Sequence, residues 1–254
     1  MISSFSHNTW IKYFTPNPNA QLRLFCFPYA GGSAAIFRDW HQELPETIEV
    51  CPVELPGRSS RMREPLFEEM SSLIESLGAG LRSYLDKPYV VFGHSFGALV
   101  SFELACYCRE HHYRLPDCLL VSGRQAPHLL DPSPMHALPK EDFIEQIKRL
   151  NGTPQEIMQN PEMMELLVPI LRADLKVDET YRYTPKAPLD IPVAVFGGEQ
   201  DSEASRTQLE AWSQHGSCEF SLQMFPGDHF FINTERSHLL QTLSKKLQDI
   251  VEAQ

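Results

Sequence analysis

A chain of 254 residues that is 42% hydrophobic can bury a sizeable core. Its formal net charge of −11, from 22 Lys and Arg against 33 Asp and Glu, excludes general attraction to nucleic acid or an anionic bilayer, since both demand cationic surface. No segment offers eighteen continuous apolar residues, and the opening MISSFSHNTWIKYFTPNPNA has no basic start followed by an apolar run, so a soluble, cytoplasmic protein without a membrane partner is expected. The six cysteines (Cys26, Cys51, Cys106, Cys108, Cys118, Cys218) show no metal-ligand spacing and read as free thiols of a reducing compartment.

In chain order, six short apolar runs bounded by turn residues predict strands: LRLFCFP (Leu22 to Pro28), IEVCPVEL (Ile48 to Leu55), YVVFG (Tyr89 to Gly93), CLLVSG (Cys118 to Gly123), IPVAVFGG (Ile191 to Gly198) and FSLQMFPG (Phe220 to Gly227). Segments long enough for helices lie between most of them, including Leu66 to Leu85 and Ser202 to His215. Alternating strand and helix implies an α/β fold with a mostly parallel central sheet and helices on both faces. Functional loops should gather at the carboxyl ends of its strands.

One interval breaks the rhythm. From Gly123 to Ile191 no strand is evident, and three helix starts occur instead: LPKED from Leu138 to Asp142, a capping-box pattern at Thr153-Pro154-Gln155-Glu156, and Asn160-Pro161. Met164, Leu167, Val168, Leu171 and Leu175 follow at helical spacing, with Pro169 expected to kink the helix. A helical insertion at about 128–188 is therefore expected to fold over the sheet. With no repeat or Ser/Gly linker, residues 1–254 read as one domain.

Gly93-His94-Ser95-Phe96-Gly97 fits G-x-S-x-G, a pattern that chance supplies in about one chain in ten of this length. Its context is more specific. The match joins a strand-like run to a helix-like one, where a nucleophile elbow must be, because the tight turn lifts the serine above the sheet and leaves no room for bulky side chains two residues away.

A serine hydroxyl needs a base to take its proton during attack. His229, in FPGDHFFI just past the last strand-like run, is placed for that role. His7, His41, His111, His112, His128, His136, His215 and His238 lie in polar or helical settings and read as surface residues. His94 reads as packing. Asp201, after IPVAVFGGEQ, leaves the end of a strand and supplies an acid to orient the histidine, with Glu199 and Asp228 as competitors. The order Ser95, Asp201, His229 is that of α/β-hydrolases. Backbone N–H groups must meet the oxyanion: Phe96 at the helix start, and a donor from FPYAGGSAAIF (Phe27 to Phe37). That loop has no P-loop spacing or lysine.

Four segments, FPYAGGSA (Phe27 to Ala34), ELPGRSSRMREP (Glu54 to Pro65), FGHSFGALVSFELA (Phe92 to Ala105) and GDHFFI (Gly227 to Ile232), together resemble the type II (editing) thioesterases that accompany polyketide synthases and nonribosomal peptide synthetases. The resemblance implies an α/β-hydrolase fold with Ser95 as nucleophile, Asp201 as acid, His229 as base and the N–H groups of Ala30 and Phe96 as oxyanion donors. It further implies hydrolysis of stalled acyl groups from the phosphopantetheine arm of acyl or peptidyl carrier domains, through an acyl-enzyme and without metal or organic cofactor, by a monomer. In that setting the insertion forms a lid. Met135, Met158, Met163 and Met164 either let it repack around varied acyl groups or simply fill its core. Arg58, Arg61 and Arg63 form a cationic cluster that either meets an acidic carrier or the phosphate of its arm, or is a solvated loop.

Other readings stay open on sequence alone. They are a medium-chain fatty acyl thioesterase, a general carboxylesterase and a non-catalytic carrier-binding module of the same fold. A chain-terminating domain of a larger synthase fits less well, with Met1 only about twenty residues before the first strand.

Overall fold

The computed structural model describes residues 9–129, 134–150 and 152–254. His7, and the parts of the expected insertion at 130–133 and 151, lie outside the described residues. Six strands form one sheet in the order β2-β1-β3-β4-β5-β6: β1 (Leu22–Phe27), β2 (Ile48–Pro52), β3 (Tyr89–His94), β4 (Cys118–Ser122), β5 (Val193–Gly198) and β6 (Phe220–Phe225). Every neighbouring pair is parallel. β1, β3 and β4 match their expected runs to within a residue, whereas β2 stops at Pro52, three residues short, β5 begins two residues late at Val193 and β6 ends two residues early at Phe225. β1 to β5 are buried along their whole length, as a sheet covered on both faces requires. β6, at the sheet edge, is mostly half-buried.

The two-residue period of a strand divides these apolar runs between two cores. Phe25, Phe27, Val91, Leu119, Val121 and Val195 pack on one side with α1 (Met70–Leu81) and α2 (Phe96–Glu110). Leu24, Cys26, Phe92, Leu120 and Phe196 pack on the other, where the stripe Leu239, Leu240, Leu243 and Leu247 of the long carboxyl-terminal helix closes the core.

Between β4 and β5 come α3 (Lys140–Leu150), α4 (Gln155–Met158) and α5 (Pro161–Thr180). Asn160 caps α5 by accepting from the N–H groups of Glu162 and Met163, with Pro161 in the first turn, as the sequence suggests. The Thr153 capping box does not form: Pro154 occupies the N-cap position, and no side chain caps α4. α5 continues through Pro169. The three helices share a small core of Phe143, Ile147, Met164, Val168 and Leu171. Downstream of β5, the expected helix at Ser202 to His215 is shorter and split, α6 (Arg206–Glu210) leading into a 3-10 turn at Ala211–Gln214. The capping box of this region belongs to Ser205 and Gln208.

All six cysteines are unpaired, five of them buried and Cys218 exposed. Among the described residues no helix is long and apolar enough to cross a membrane.

Candidate active site

Ser95 sits between the end of β3 and the first residue of α2 with φ 54° and ψ −119°, a strained backbone that side chains rarely adopt. Its N–H donates to the carbonyl of Ser122 on the neighbouring strand at 2.7 Å, which anchors the turn. The flanking glycines are required by contact. A Cβ on Gly93 would lie 2.1 Å from the Gly97 carbonyl oxygen, and one on Gly97 would lie 2.2 Å from the Phe27 carbonyl oxygen. Because Phe96 is the first residue of α2, its N–H falls outside the helix's own ladder.

The loops after β5 and β6 are zipped to each other. Glu199 N–H donates to Phe225 O, Gln200 N–H to Gly227 O, and Gly227 N–H to the Gln200 side chain. This brings Asp201 to His229: Nδ1 of the imidazole lies 3.0 Å from Oδ2 and 3.2 Å from Oδ1. The Asp201 side chain is fully buried and that of His229 is 12% exposed. Oδ1 also accepts the N–H of Glu203 at 2.8 Å, so the carboxylate is fixed from its own turn. Of the competing carboxylates, Glu199 is exposed and Asp228 accepts the N–H of Phe230.

Ser95 and His229 line a cavity of about 700 Å³. The loop after β1 contributes Tyr29, Ala30, Gly31 and Gly32 to its wall, and the insertion helices contribute Ile147, Ile157, Leu167, Leu171 and Leu175. Arg124, Gln125, Asp178 and Glu179 add a polar stretch. A volume of this size, mostly apolar with a few convergent polar groups, suits a small ligand or an extended acyl chain.

His94 is wholly buried. Its Nδ1 meets the Ser122 hydroxyl at 2.8 Å, its Nε2 has no hydrogen-bond partner among the described residues, and its ring lies 5.2 Å from that of His229, centroid to centroid. Burial, with the second imidazole beside it, holds its pKa well below the ordinary histidine value. It is therefore a neutral wall against which His229 packs.

Several expected residues take other places. Arg58 and Arg61 are not part of an open cationic cluster: they are 4% and 5% exposed. Arg58 forms a bidentate pair with Asp174. Arg61 pairs with Glu64, donates to the Glu54 carbonyl and stacks over Trp10. A buried guanidinium is retained only when its donors find acceptors, and here this chain supplies them. Arg63 alone of the three is exposed. Met135 lines the cavity, Met164 belongs to the small core of the insertion, and Met163 is 45% exposed away from it. His215 is not a surface residue: it is 4% exposed and its Nε2 lies 2.8 Å from Nδ1 of His128. Asp174 is a residue that sequence reasoning misses, since it carries no motif signal beyond being an acidic residue in an apolar helical stripe. Among the described residues no group of three His, Cys, Asp or Glu side chains is arranged to hold a metal.

The thioesterase domain model matches residues 22–247. The linear gramicidin dehydrogenase LgrE of Brevibacillus parabrevis is 42% identical over 247 residues, 96% of this chain and 94% of that protein. The solved structure of the RedJ thioesterase from the prodiginine pathway of Streptomyces coelicolor superposes with a TM-score of 0.86 at 37% identity, covering 91% of this chain and 87% of that one. That of YbtT, a type II thioesterase from the yersiniabactin NRPS/PKS pathway, does so with a TM-score of 0.81 at 30% identity, covering 93% and 96%. The kinship read from FPYAGGSA, LPGR, the elbow and GDHFFI is thereby borne out: the chain belongs to the thioesterase family and is a thioester hydrolase of the α/β-hydrolase fold.

Proposed function

We propose that the protein is a standalone type II thioesterase that clears stalled or aberrant acyl groups from the phosphopantetheine arm of carrier domains in nonribosomal peptide or polyketide synthesis. The observation that carries this reading is the contact of His229 Nδ1 with buried Asp201 beside a cavity that Ser95 and His229 both line, in a member of the thioesterase family. Relatives from such pathways support the carrier as partner.

In this mechanism His229 Nε2 takes the Ser95 hydroxyl proton as Oγ bonds to the thioester carbonyl carbon. The N–H groups of Ala30 and Phe96 meet the oxyanion. Collapse breaks the C–S bond, and the thiolate, whose conjugate acid has a pKa of about 8.5, takes the proton held by His229 as it leaves, which returns the imidazole to its neutral form. Water, deprotonated by His229, then attacks the Ser95 ester, the carbon–Oγ bond breaks, and Oγ recovers the proton. Asp201 holds the imidazole in the tautomer that presents Nε2 to Ser95 and stabilises its cation. No step requires a metal or organic cofactor. A monomer acting in the cytoplasm completes the proposal.

The test is mass spectrometry of carriers loaded with acetyl, propionyl or aminoacyl groups and incubated with the wild type or Ser95→Ala. Release of the acyl group only by the wild type is expected. Equal loss with both proteins, or with neither, overturns the proposal.

A further inference from the structure

The buried ion pair between Arg58 and Asp174 lies beside the loop that supplies Ala30. Oδ1 of Asp174 accepts from Arg58 Nη2 at 2.8 Å, and Oδ2 accepts from Nη1 at 2.9 Å. The same Oδ2 accepts the backbone N–H of Gly31 at 2.8 Å. Nη1 of Arg58 also donates to the carbonyl of Gly32 at 2.8 Å, and its Nε donates to Pro56 O at 3.2 Å. One ion pair thus holds a donor and an acceptor of two successive residues, from two segments remote in sequence: the loop after β2 and helix α5 of the insertion.

Gly31 is in the left-handed region, at φ +72°. A Cβ there would lie 2.5 Å from Cδ2 of Leu171, one turn before Asp174 on α5, so the helix presses directly on the loop. Gly32 N–H closes the turn onto Tyr29 O at 2.9 Å. The peptide plane carrying the Ala30 N–H is therefore bounded by a turn on one side and by the ion pair on the other.

A buried ion pair adds little net stability over apolar side chains of similar volume, whereas its forked hydrogen bonds fix orientation closely. The geometry points to Arg58 and Asp174 as positioning residues for the oxyanion hole, coupling the seating of α5 to the direction of the Ala30 N–H. This rests on the reading of Ala30 as an oxyanion donor. An insertion displaced at α5 leaves the hole misaligned, so hydrolysis is completed only when the helix is seated over the cavity.

The test uses the intact enzyme with Asp174→Asn, which keeps the shape and one acceptor, and Arg58→Lys, which keeps the charge without the fork. Four quantities are read on variants whose thermal unfolding and circular dichroism show a folded protein. They are kcat and KM for an acyl-pantetheine thioester, the affinity of a trifluoromethyl ketone analogue whose adduct with Ser95 places an oxyanion in the hole, and the affinity of an unreactive amide analogue. Loss of one oxyanion donor typically costs about 10²–10³ in rate, and misalignment is expected to cost roughly 10–100-fold of it. The loss should appear in kcat and equally in ketone affinity, with KM and amide affinity nearly unchanged.

Folded variants that keep kcat and ketone affinity, or that lose ketone and amide binding alike, overturn the proposal. Should neither variant fold, amide exchange of Gly31 in the wild type decides it: slow exchange with and without ketone is expected, and fast exchange in the free enzyme overturns it. Failure of the catalytic reading itself is seen separately, as a wild type that forms no adduct with the ketone.

Discussion

Asp201 and His229 stand 28 positions apart in the chain, yet their side chains meet at 3.0 Å because the loops after β5 and β6 are hydrogen-bonded to each other along their length. Neither loop alone fixes the pair. Asp201→Asn keeps the volume but presents an amide where Nδ1–H needs an acceptor that is also an anion. A fall in kcat of about 10³–10⁴-fold with KM little changed is expected in steady-state kinetics, and a loss confined to KM would contradict the assignment of Asp201.

The elbow makes a separate prediction. Gly97→Ala would set a methyl group 2.2 Å from a backbone oxygen that has no rotamer to escape by. Overpacking of that kind costs about 1–3 kcal/mol or more. Lower thermal stability and loss of fluorophosphonate labelling at Ser95 are expected together. A variant that unfolds at the wild-type temperature and labels normally would show that the turn has slack.

Cavity shape should set acyl length. Ile157 and Leu167 reach the cavity from the insertion, and either one replaced by Trp shortens the space. The expected result is a drop of roughly 10-fold or more in kcat/KM for octanoyl relative to acetyl thioesters. The wild-type acyl series also separates an editing enzyme from a medium-chain thioesterase, which would prefer the longer chains from the outset.

Acid should destabilise the fold through His215. Burial, the neighbouring imidazole of His128 and the Lys186 ammonium push its pKa down to about 4, against about 6.5 in an unfolded chain. The folded state therefore resists a proton that the unfolded state accepts. The contribution is fully present above pH 6.5 and is lost as the pH falls from 6.5 towards 4, below which it changes no further. Unfolding in urea followed between pH 7 and pH 4 should show this loss, with a shallower pH slope for His215→Gln. An unchanged slope would contradict the assignment.

The arginine loop offers a contrast between side chains close in sequence. Arg61→Ala removes a guanidinium paired with Glu64, the Glu54 carbonyl and the Trp10 ring, and hydrogen bonds to charged groups are worth about 1.5–3 kcal/mol. A lowered unfolding midpoint is expected. Arg63→Ala, at an exposed position, should leave stability within about 0.5 kcal/mol of the wild type.

The sheet, the elbow and the chain order of Ser95, Asp201 and His229 were legible in the amino-acid order. Each is local: β-branched and aromatic runs extend the backbone, two glycines and a serine are what a tight strand-to-helix turn admits, and a residue just past a strand lies on the carboxyl edge. Asp201 stood out from Glu199 and Asp228 on position alone, while its contact with His229 belongs to the zipped loops.

The rest depends on groups brought together from far along the chain. Arg58 and Arg61 look like surface charge when only their neighbours in sequence are seen, and their partners, Asp174 at 116 positions' distance and the Trp10 ring, appear only on folding. His215 becomes buried because Phe102, Trp212 and Tyr183 close around it. Charge and hydropathy patterns specify which element forms. Which side chain ends beside which is settled when those elements pack, since burial and pairing are properties of the assembled core.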